Sequence, residues 1–346
     1  MESELTIVNL LHDFSWNESL TTKDNFSFFH TSMWAEVLVN SYRYKPFYIL
    51  SQSDNTVKFL LPLMEINSSF THRRAISLPF SDHCEPINEI GLDAESFLSK
   101  IYEIGILNEW RTIEFRGGEN FFPEKNIYNY VLGHSLSLGK SVEDIFNSLT
   151  LNTKRNIKKA IRENVRVDIT DDFNSIKIFY ELMSITRKRH GLPTQPLNFY
   201  RQIHESIIKK NSGILMLASH NGKYIAGAMF FHIGNKALFK FGASDMEYKH
   251  LRANNLIMWE AITYYKAAGH LNLDFGRTDL TAAGLRHYKL GWGCEERLIP
   301  YFKYDVRRKV FIKKIIHPAY GIESIFKHLP VTLLKKIGDI FYKHMG

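Results

Sequence analysis

The 346-residue sequence is poor in cysteine and has no long apolar run. Its two cysteines, Cys84 and Cys294, lie far apart, which argues against a disulfide framework and favours reduced thiols in a cytoplasm. No apolar run approaches the roughly 18 residues that cross a bilayer. The acidic residues 1–4 lack the basic-then-apolar order of a secretory signal. We therefore expect a cytoplasmic protein without a membrane span.

Motifs for nucleotide and metal binding are also missing. The sequence has no P-loop, no dinucleotide-binding fingerprint, and no Cys-x-x-Cys or His-Glu-x-x-His pair that would mark a zinc site. The run Asp-His-Cys-Glu at 82–85 offers candidate ligands or a nucleophile, but neighbours in one short segment rarely close a metal site. The run also fits the lining of a cleft or an ordinary turn, and we expect no metal.

The formal charge of +8 is concentrated at the C-terminus. Residues 301–346 carry ten Lys and Arg against three acids, so this segment holds +7 and the rest of the chain is nearly neutral. A further basic island runs from Lys154 to Arg166. Because a nucleic-acid-binding protein would need a basic body, we expect no sequence-specific DNA binding.

The length exceeds one comfortable hydrophobic core and predicts two domains. In the second half, Asn221-Gly222 predicts a hairpin, because both central residues of a type I′ turn need positive φ. A helix predicted over Ala253–Ala268 is followed by a short strand ending at Asp274 and a helix over Thr281–Leu290. The first half repeats the order of helix, meandering strands, helix and strand, which favours a duplicated α/β unit.

Residues 274–293 form the most informative segment of the chain. An Asp-Phe-Gly-Arg turn follows the short strand, and the helix after it ends with Tyr288, Lys289 and a Gly-Trp-Gly stop. Polar and conformationally special residues at the carboxyl end of a strand are where α/β proteins build ligand sites. The segment therefore predicts a ligand site.

These elements, in this order, resemble the FemAB-like branch of the GNAT acyltransferase superfamily. That branch includes the peptidoglycan interpeptide-bridge aminoacyltransferases and the BioF2-like acetyltransferase domains. The segments that carry the resemblance are Leu78–Asp82, Asn152–Ala160, Gly227–Met229, Phe241–Ser244, Asp274–Arg277 and Gly284–Gly293. The resemblance spans roughly residues 30–305 and does not cover the tail.

The resemblance implies an α/β (α+β) fold of two tandem GNAT-like domains, each a mixed, mostly antiparallel sheet flanked by helices. We expect an N-terminal GNAT-like domain at 1–140, a C-terminal catalytic one at 141–305, and a basic amphipathic tail at 306–346.

The resemblance also implies transfer of an acyl or aminoacyl group to an amine of a cell-envelope or polysaccharide precursor. Acyl-CoA enzymes of the superfamily grip the pyrophosphate with a glycine-rich loop, whereas the matching stretch His250–Leu256 has no glycine. Acyl-CoA and aminoacyl-tRNA therefore both stay open as donors. The alternatives are acetyl-CoA-dependent N-acetylation of a small amine or amino sugar, and a non-catalytic scaffold at the membrane.

By resemblance, Lys289 is the first candidate catalytic residue and Tyr288 its aromatic partner in binding substrate. Lys289 would neutralise phosphate or stabilise an oxyanion, or would only favour the C-terminus of its helix. Asp274 would act as a general base or orient the amine, or would tie down the turn that follows it. Arg277 would bind an anionic substrate or pair with Asp274.

Four further cations are candidate substrate-binding residues. Lys154 and Arg155 begin a basic helix that would suit a phosphate-bearing donor such as CoA or tRNA, although such runs are usually solvated. Arg189 ends another helix, where cations are expected in any case. Arg252 lies in the stretch that matches the phosphate-binding loop of the superfamily.

The segment Val331–Met345 predicts a basic amphipathic helix. Its apolar residues are expected on one face: Leu333, Leu334, Ile337, Ile340 and Phe341. Such a helix fits peripheral contact with the anionic inner face of a membrane, and it equally fits docking on its own domain.

Overall fold

The computed structural model describes residues 5–9, 11, 19–21, 23, 26–53, 56–313 and 322–346. The strands, in chain order, are β1 (Thr6–Val8), β2 (Lys45–Ser53), β3 (Thr56–Ile66), β4 (Arg74–Ile76), β5 (Ile87–Asn88), β6 (Thr112–Arg116), β7 (Ile127–Ser137), β8 (Arg166–Thr170), β9 (Gly213–His220), β10 (Lys223–Ile233), β11 (Lys236–Ser244), β12 (Asn272–Asp279), β13 (Glu295–Asp305) and β14 (Val310–Phe311). The α-helices discussed below are α1 (Ser32–Tyr42), α2 (Ala94–Leu107), α3 (Val142–Ser148), α4 (Leu151–Arg162), α5 (Phe173–Arg189), α6 (Leu197–Ile203), α7 (Ala253–Ala267), α8 (Ala283–Leu290), α9 (Ile322–His328) and α10 (Val331–Met345).

The described residues divide into two compact units. Unit 1 draws on Met1–Leu132, Leu298–His317 and Tyr342–Gly346, and unit 2 on Gly133–Arg297 and Pro318–Phe341. The predicted domain bounds of 1–140, 141–305 and 306–346 stay a prediction, and the two units divide the chain at other positions.

Unit 1 is built on strands β1, β2, β3, β4 and β6 and the part of β13 that follows Arg297. Strands β2, β3 and β4 pair antiparallel, and the chain then crosses through α2 to place β6 parallel to β4, with Ala75 opposite Ile113. The core is strongly aromatic, with Phe97, Phe115 and Phe122 at its centre. Their rings pack at tilted or edge-on angles, which aromatic pairs prefer.

Unit 2 repeats this plan. Strands β9, β10 and β11 form an antiparallel meander, and α7 carries the chain across to β12, which pairs parallel with β11. The predicted hairpin is confirmed, since Asn221 and Gly222 both have positive φ, 49° and 77°. Helix α7 buries Leu256, Ile262 and Tyr265 against the sheet. The predicted α/β class, with mixed and mostly antiparallel sheets in tandem, is therefore confirmed.

Two local features of unit 2 differ from the sequence prediction. Strand β8 was not predicted, because it is a short edge strand whose residues are all exposed or only partly buried. The sequence predicts one helix over Asn198–Lys209, whereas α6 ends at Ile203 and continues as a π-helical turn over His204–Ile208. In that turn the Lys209 N–H donates to the His204 carbonyl, one residue beyond the α-helical partner.

The C-terminal helix α10 has the predicted bounds, but its apolar residues do not share one environment. Leu334 is fully buried and Gly338 is buried beside it, whereas Leu333, Ile340 and Phe341 are 42%, 57% and 45% exposed. The helix therefore docks by one face and leaves a second apolar stripe in solvent. Within the described ranges no helix combines the length and the hydropathy needed to span a membrane.

We expect Gly338→Ala to destabilise the protein, because an added Cβ would overlap the backbone carbonyl oxygen of Thr194, which no rotamer change can move away. Helix propensity alone would make the change favourable by about 1 kcal/mol, whereas overpacking costs about 1–3 kcal/mol. Urea unfolding should therefore give a lower free energy of unfolding for Gly338→Ala, and little change for the exposed control Lys336→Ala. A stabilised Gly338→Ala protein would contradict this account of the docking.

Candidate functional site

A cavity of about 240 Å³ in unit 2 brings together three of the predicted substrate-binding residues. Arg189 comes from the end of α5, Arg252 directly precedes α7, and Tyr288 lies on α8. Ser244 at the end of β11 and Asn254 in the first turn of α7 also line the cavity. Residues from four separate elements thus converge on one small polar cavity.

The amino end of α7 gives this cavity a positive character. Arg252 adopts the left-handed conformation, with φ of 62°, and its carbonyl accepts the Asn255 N–H at 2.9 Å. The first N–H groups of an α-helix have no partner within the helix, and the helix dipole adds partial positive charge there. The sequence Arg-Ala-Asn-Asn at 252–255 thus places a helix amino terminus, which favours negative charge, at the cavity without glycine.

Arg189 adds a full positive charge with unused donor capacity. Its Nη1 is shielded from solvent and has no hydrogen-bond partner among the residues that the structure describes. Burial lowers the pKa of this guanidinium from its usual value, although arginine stays charged at any physiological pH. A half-buried arginine with an unsatisfied donor is one of the clearer local signals for a ligand anion.

Tyr288 is held against Trp292 on the other side of the cavity. The two ring centroids are 6.0 Å apart in an edge-on arrangement, and the Tyr288 hydroxyl donates to the Asn254 carbonyl at 3.4 Å. Burial raises the pKa of Tyr288 above its usual value, so the hydroxyl stays protonated and acts as a donor.

The Lys289 side chain points away from solvent and into the interior of unit 2. It is only 2% exposed, and its Nζ donates to the carbonyl oxygens of Gly276 and Arg277 at 2.7 and 2.9 Å. Gly276 has a φ of 68°, a conformation that glycine adopts without cost. The Lys289 ammonium therefore binds the turn that follows the Asp274 strand end.

Asp274 fixes the same turn from its other side. Its Oδ1 accepts the Gly276 N–H at 2.6 Å, which is the turn-tying role that the sequence left as an alternative to catalysis. The Arg277 side chain is exposed, and its carbonyl is one of the two Lys289 acceptors. Neither Asp274 nor Arg277 lines the cavity.

The basic helix α4 lies outside the cavity as well. Lys154 donates from Nζ to the Asn147 carbonyl at 2.7 Å, and Arg155 is exposed. The start of α4 nevertheless contacts the end of α8, since the Thr150 N–H donates to the Gly291 carbonyl at 3.1 Å. Lys154 and Arg155 are thus on a helix anchored near Tyr288, but not in its cavity.

Sequence reasoning missed a second layer of charged residues behind Lys289. His134 on β7 is 1% exposed, and its Nε2 lies 3.0 Å from Glu296 Oε2. Because a carboxylate only accepts, the Nε2–H of the ring donates. Glu296 also accepts two hydrogen bonds from Arg286 of α8, at 2.8 and 2.6 Å. No local pattern could have paired residues 162 positions apart.

The charges in this network shift each other's pKa values. Burial, and then the positive charge of Lys289, lower the pKa of His134 below its usual value. The Arg286 hydrogen bonds lower the pKa of Glu296. At neutral pH the network is therefore a neutral imidazole between an ion pair and a buried ammonium.

The described residues contain no cluster of His, Cys, Asp and Glu side chains suited to a metal ion. The 82–85 run is an irregular segment with one isolated antiparallel bridge, in which the Cys84 N–H donates to the Arg116 carbonyl at 2.7 Å. The Asp82 carbonyl accepts from the Tyr301 hydroxyl at 2.5 Å. Both Cys84 and Cys294 are buried free thiols.

Comparison with known proteins gives these residues a family context. A family profile described as an acetyltransferase (GNAT) domain matches residues 149–293. Lipid II:glycine glycyltransferase of Staphylococcus haemolyticus is 22% identical over a match that covers 45% of this chain and 54% of that protein. The Staphylococcus aureus protein of the same name is 18% identical, with the same coverage. The chain thus spans about half the length of the curated relatives it matches.

Solved structures share the fold over most of the chain. The crystal structure of FemX matches with a TM-score of 0.68 and 14% identity, covering 86% of this chain and 96% of that one. A tandem GNAT protein from the clavulanic acid pathway matches with a TM-score of 0.54 and 11% identity, covering 88% and 98%. Residues 149–293 therefore match a GNAT acetyltransferase domain, and most of the chain shares the fold of FemX and of the tandem GNAT protein.

Proposed function

We propose that this protein is an acyltransferase that transfers an aminoacyl group to an amine of a cell-envelope precursor. The observation that carries the proposal is the convergence of Arg189, Arg252 and Tyr288 on one cavity. Lys289 follows Tyr288 in the same helix and is buried, and it does not itself line the cavity. The glycyltransferases that act on lipid II are similar to this chain, which supports an envelope precursor as the acceptor.

The donor is proposed to bind with a phosphate at the amino end of α7, where Arg189 and Arg252 supply charge. The cavity of about 240 Å³ is smaller than the roughly 300–1,000 Å³ of sites that enclose a whole small molecule. It suits the end of a larger donor better than a complete coenzyme. Aminoacyl-tRNA is therefore proposed as the donor in preference to acyl-CoA.

The proposed reaction is direct aminolysis. The acceptor amine attacks the ester carbonyl carbon, the ester C–O bond breaks, and the released ribose oxygen takes up the proton that the amine loses. Negative charge develops on the carbonyl oxygen in the tetrahedral intermediate, and a nearby fixed positive charge stabilises it. We assign that charge to Lys289. Asp274 is assigned the positioning of the Gly276 turn, and not the role of general base.

The proposed reaction is tested by incubating the protein with lipid-linked precursor and either aminoacyl-tRNA or acetyl-CoA, and following the products by mass spectrometry. We expect a product from aminoacyl-tRNA, and Lys289→Met should lower its rate by about 100-fold or more, as loss of an oxyanion-stabilising group does. The exposed control Lys177→Ala should retain the wild-type rate. Products from acetyl-CoA alone would assign N-acetylation instead, and an unchanged Lys289→Met rate would remove Lys289 from the chemistry.

We expect the His134 network to make stability fall on acidification. The folded protein holds His134 neutral because its pKa is lowered, whereas the unfolded chain binds a proton below about pH 6.5. The contribution of His134 is therefore complete above about pH 6.5 and is lost as the pH falls toward the folded pKa, with a slope of at most about 1.4 kcal/mol per pH unit.

Urea unfolding across this pH range checks the expectation. As the pH is lowered from neutral to acidic, the free energy of unfolding should fall less for His134→Gln than for the wild type. The exposed control His287→Gln on α8 should show the same fall as the wild type. Parallel curves for the wild type and His134→Gln would contradict a neutral buried ring.

Helix α10 is proposed to hold the protein peripherally at an anionic membrane surface, where a lipid-linked acceptor would be found. Its exposed stripe of Leu333, Ile340 and Phe341 runs beside the exposed lysines Lys336 and Lys343. Apolar side chains flanked by lysine are what an interfacial helix presents to anionic lipid. The opposite face of the helix is already used in docking, so the stripe is accessible without unfolding.

We expect Leu333→Ser/Ile340→Ser to weaken binding to vesicles that contain phosphatidylglycerol by about tenfold or more, since each buried apolar side chain is worth about 1.5–3 kcal/mol. Vesicle co-sedimentation measures the change. Ile106→Ser/Leu107→Ser removes two exposed apolar side chains from α2 and serves as the matched control. Equal losses for both double variants would show that the effect is not specific to α10.

A further inference from the structure

Unit 1 contains a large basic groove that the proposed reaction does not use. Its volume is about 1,290 Å³. Its charged side chains come from the end of the β3–β4 connection and the start of β4, from β6 and the connection before it, and from β13 and the turn that follows. Among these side chains six Lys or Arg stand against three acids: Arg73, Arg74, Arg111, Lys303, Arg307 and Arg308 against Glu109, Glu114 and Asp305.

Strand register explains why these charges share one edge of the sheet. Arg74 pairs with Thr112 in the parallel β4–β6 ladder, and Asp305 pairs with the same Thr112 in the antiparallel β6–β13 ladder. The groove therefore lies where the parallel strands β4 and β6 begin. Ligand sites of open α/β sheets usually lie at the opposite, carboxyl ends of the strands.

The acids of the groove leave most of its cations without an ion pair among the described residues. Glu109 binds Arg73 at 3.0 Å, and Glu114 binds Arg116, which does not line the groove, also at 3.0 Å. The Asp305 carboxylate accepts the backbone N–H of Arg308 at 2.9 Å. Arg111, Arg307 and Arg308 form no ion pair within the described ranges, and all three are exposed.

Two exposed apolar side chains stand at the rim of the groove. Phe70 is 66% exposed and lies in the loop whose neighbours on both sides line the groove, and Met345, in the last turn of α10, is 50% exposed. The Phe70 ring packs edge-on against His344, with ring centroids 4.9 Å apart, which holds the rim together. An aromatic and an aliphatic side chain beside clustered arginines are a typical arrangement for the boundary between lipid headgroups and acyl chains.

We propose that this groove binds the phosphate headgroups of anionic membrane lipids. Arginine clusters recognise phosphate oxygens with paired hydrogen bonds, and the described residues that line the groove include no Phe, Tyr or Trp ring on which a nucleic-acid base could stack. Phe70 and Met345 would enter the acyl boundary while the arginines contact phosphate. The site deepens the proposed membrane association and rests on it for the source of the phosphate.

The test is co-sedimentation of the full chain with phosphatidylcholine vesicles, with and without phosphatidylglycerol. We expect binding only with phosphatidylglycerol, and at least a tenfold loss for Arg111→Ala/Arg307→Ala/Arg308→Ala, because each basic side chain near an anionic surface contributes about fivefold. The matched control Lys158→Ala/Lys159→Ala/Arg162→Ala removes the same charge from α4 and should lose about threefold or less. Unchanged thermal unfolding midpoints verify that both triple variants fold.

Each other outcome overturns the proposal in a distinguishable way. A wild-type protein that ignores phosphatidylglycerol removes both the membrane association and this site. If the wild type binds these vesicles and the groove variant binds them equally well, the groove is not the lipid site. The same conclusion follows if both triple variants lose vesicle binding to the same extent. If Arg111→Ala/Arg307→Ala/Arg308→Ala loses the binding of inorganic pyrophosphate but keeps wild-type vesicle binding, the phosphate comes from solution. If tRNA binding depends on the three arginines and vesicle binding does not, the ligand is RNA.

Discussion

The candidate site depends on the buried ammonium of Lys289. Removing a charge from water is costly unless hydrogen bonds replace the lost solvation, and here two backbone carbonyls replace it. Those carbonyls face Lys289 because Gly276 takes a positive φ and Asp274 fixes the intervening N–H. The Asp274 strand end, the Gly276 turn and helix α8 are therefore held together by these hydrogen bonds. Tyr288, the residue before Lys289, lies on this helix and lines the cavity.

Much of the fold was predictable, because many of its elements depend on residues that are close in sequence. The Asn221-Gly222 hairpin and the extent of α10 follow from turn chemistry and helical periodicity, which depend on neighbours in sequence. Arg189 and Arg252 were separate candidates by family resemblance, and sequence spacing could not show that they line the same cavity. His134 and Glu296 could not be predicted, because their pairing depends on which strands become neighbours, and a lone histidine in a strand carries no sign of its partner.

Helix α10 shows why a helical wheel alone gives an incomplete answer. Its pattern predicted one apolar face and left docking and membrane contact as alternatives, whereas the structure divides the apolar residues between two environments. Leu334 and Gly338 pack onto unit 2, and Leu333 and Ile340 face solvent. A backbone contact at Gly338, which hydropathy does not register, decides which face is used for docking.

The separation of His134 from Glu296 also constrains when the site can form. The two residues close a loop that encloses nearly all of unit 2, and contacts of such high sequence separation are slow to form because the loop-closure entropy is lost before any contact compensates for it. During synthesis, β7 leaves the ribosome long before β13 exists. Until β13 joins the sheet, the His134 ring has no carboxylate and Arg286 has no partner. The network of His134, Arg286 and Glu296 is therefore among the last parts of unit 2 to assemble, and a nascent chain that has completed α8 still lacks it.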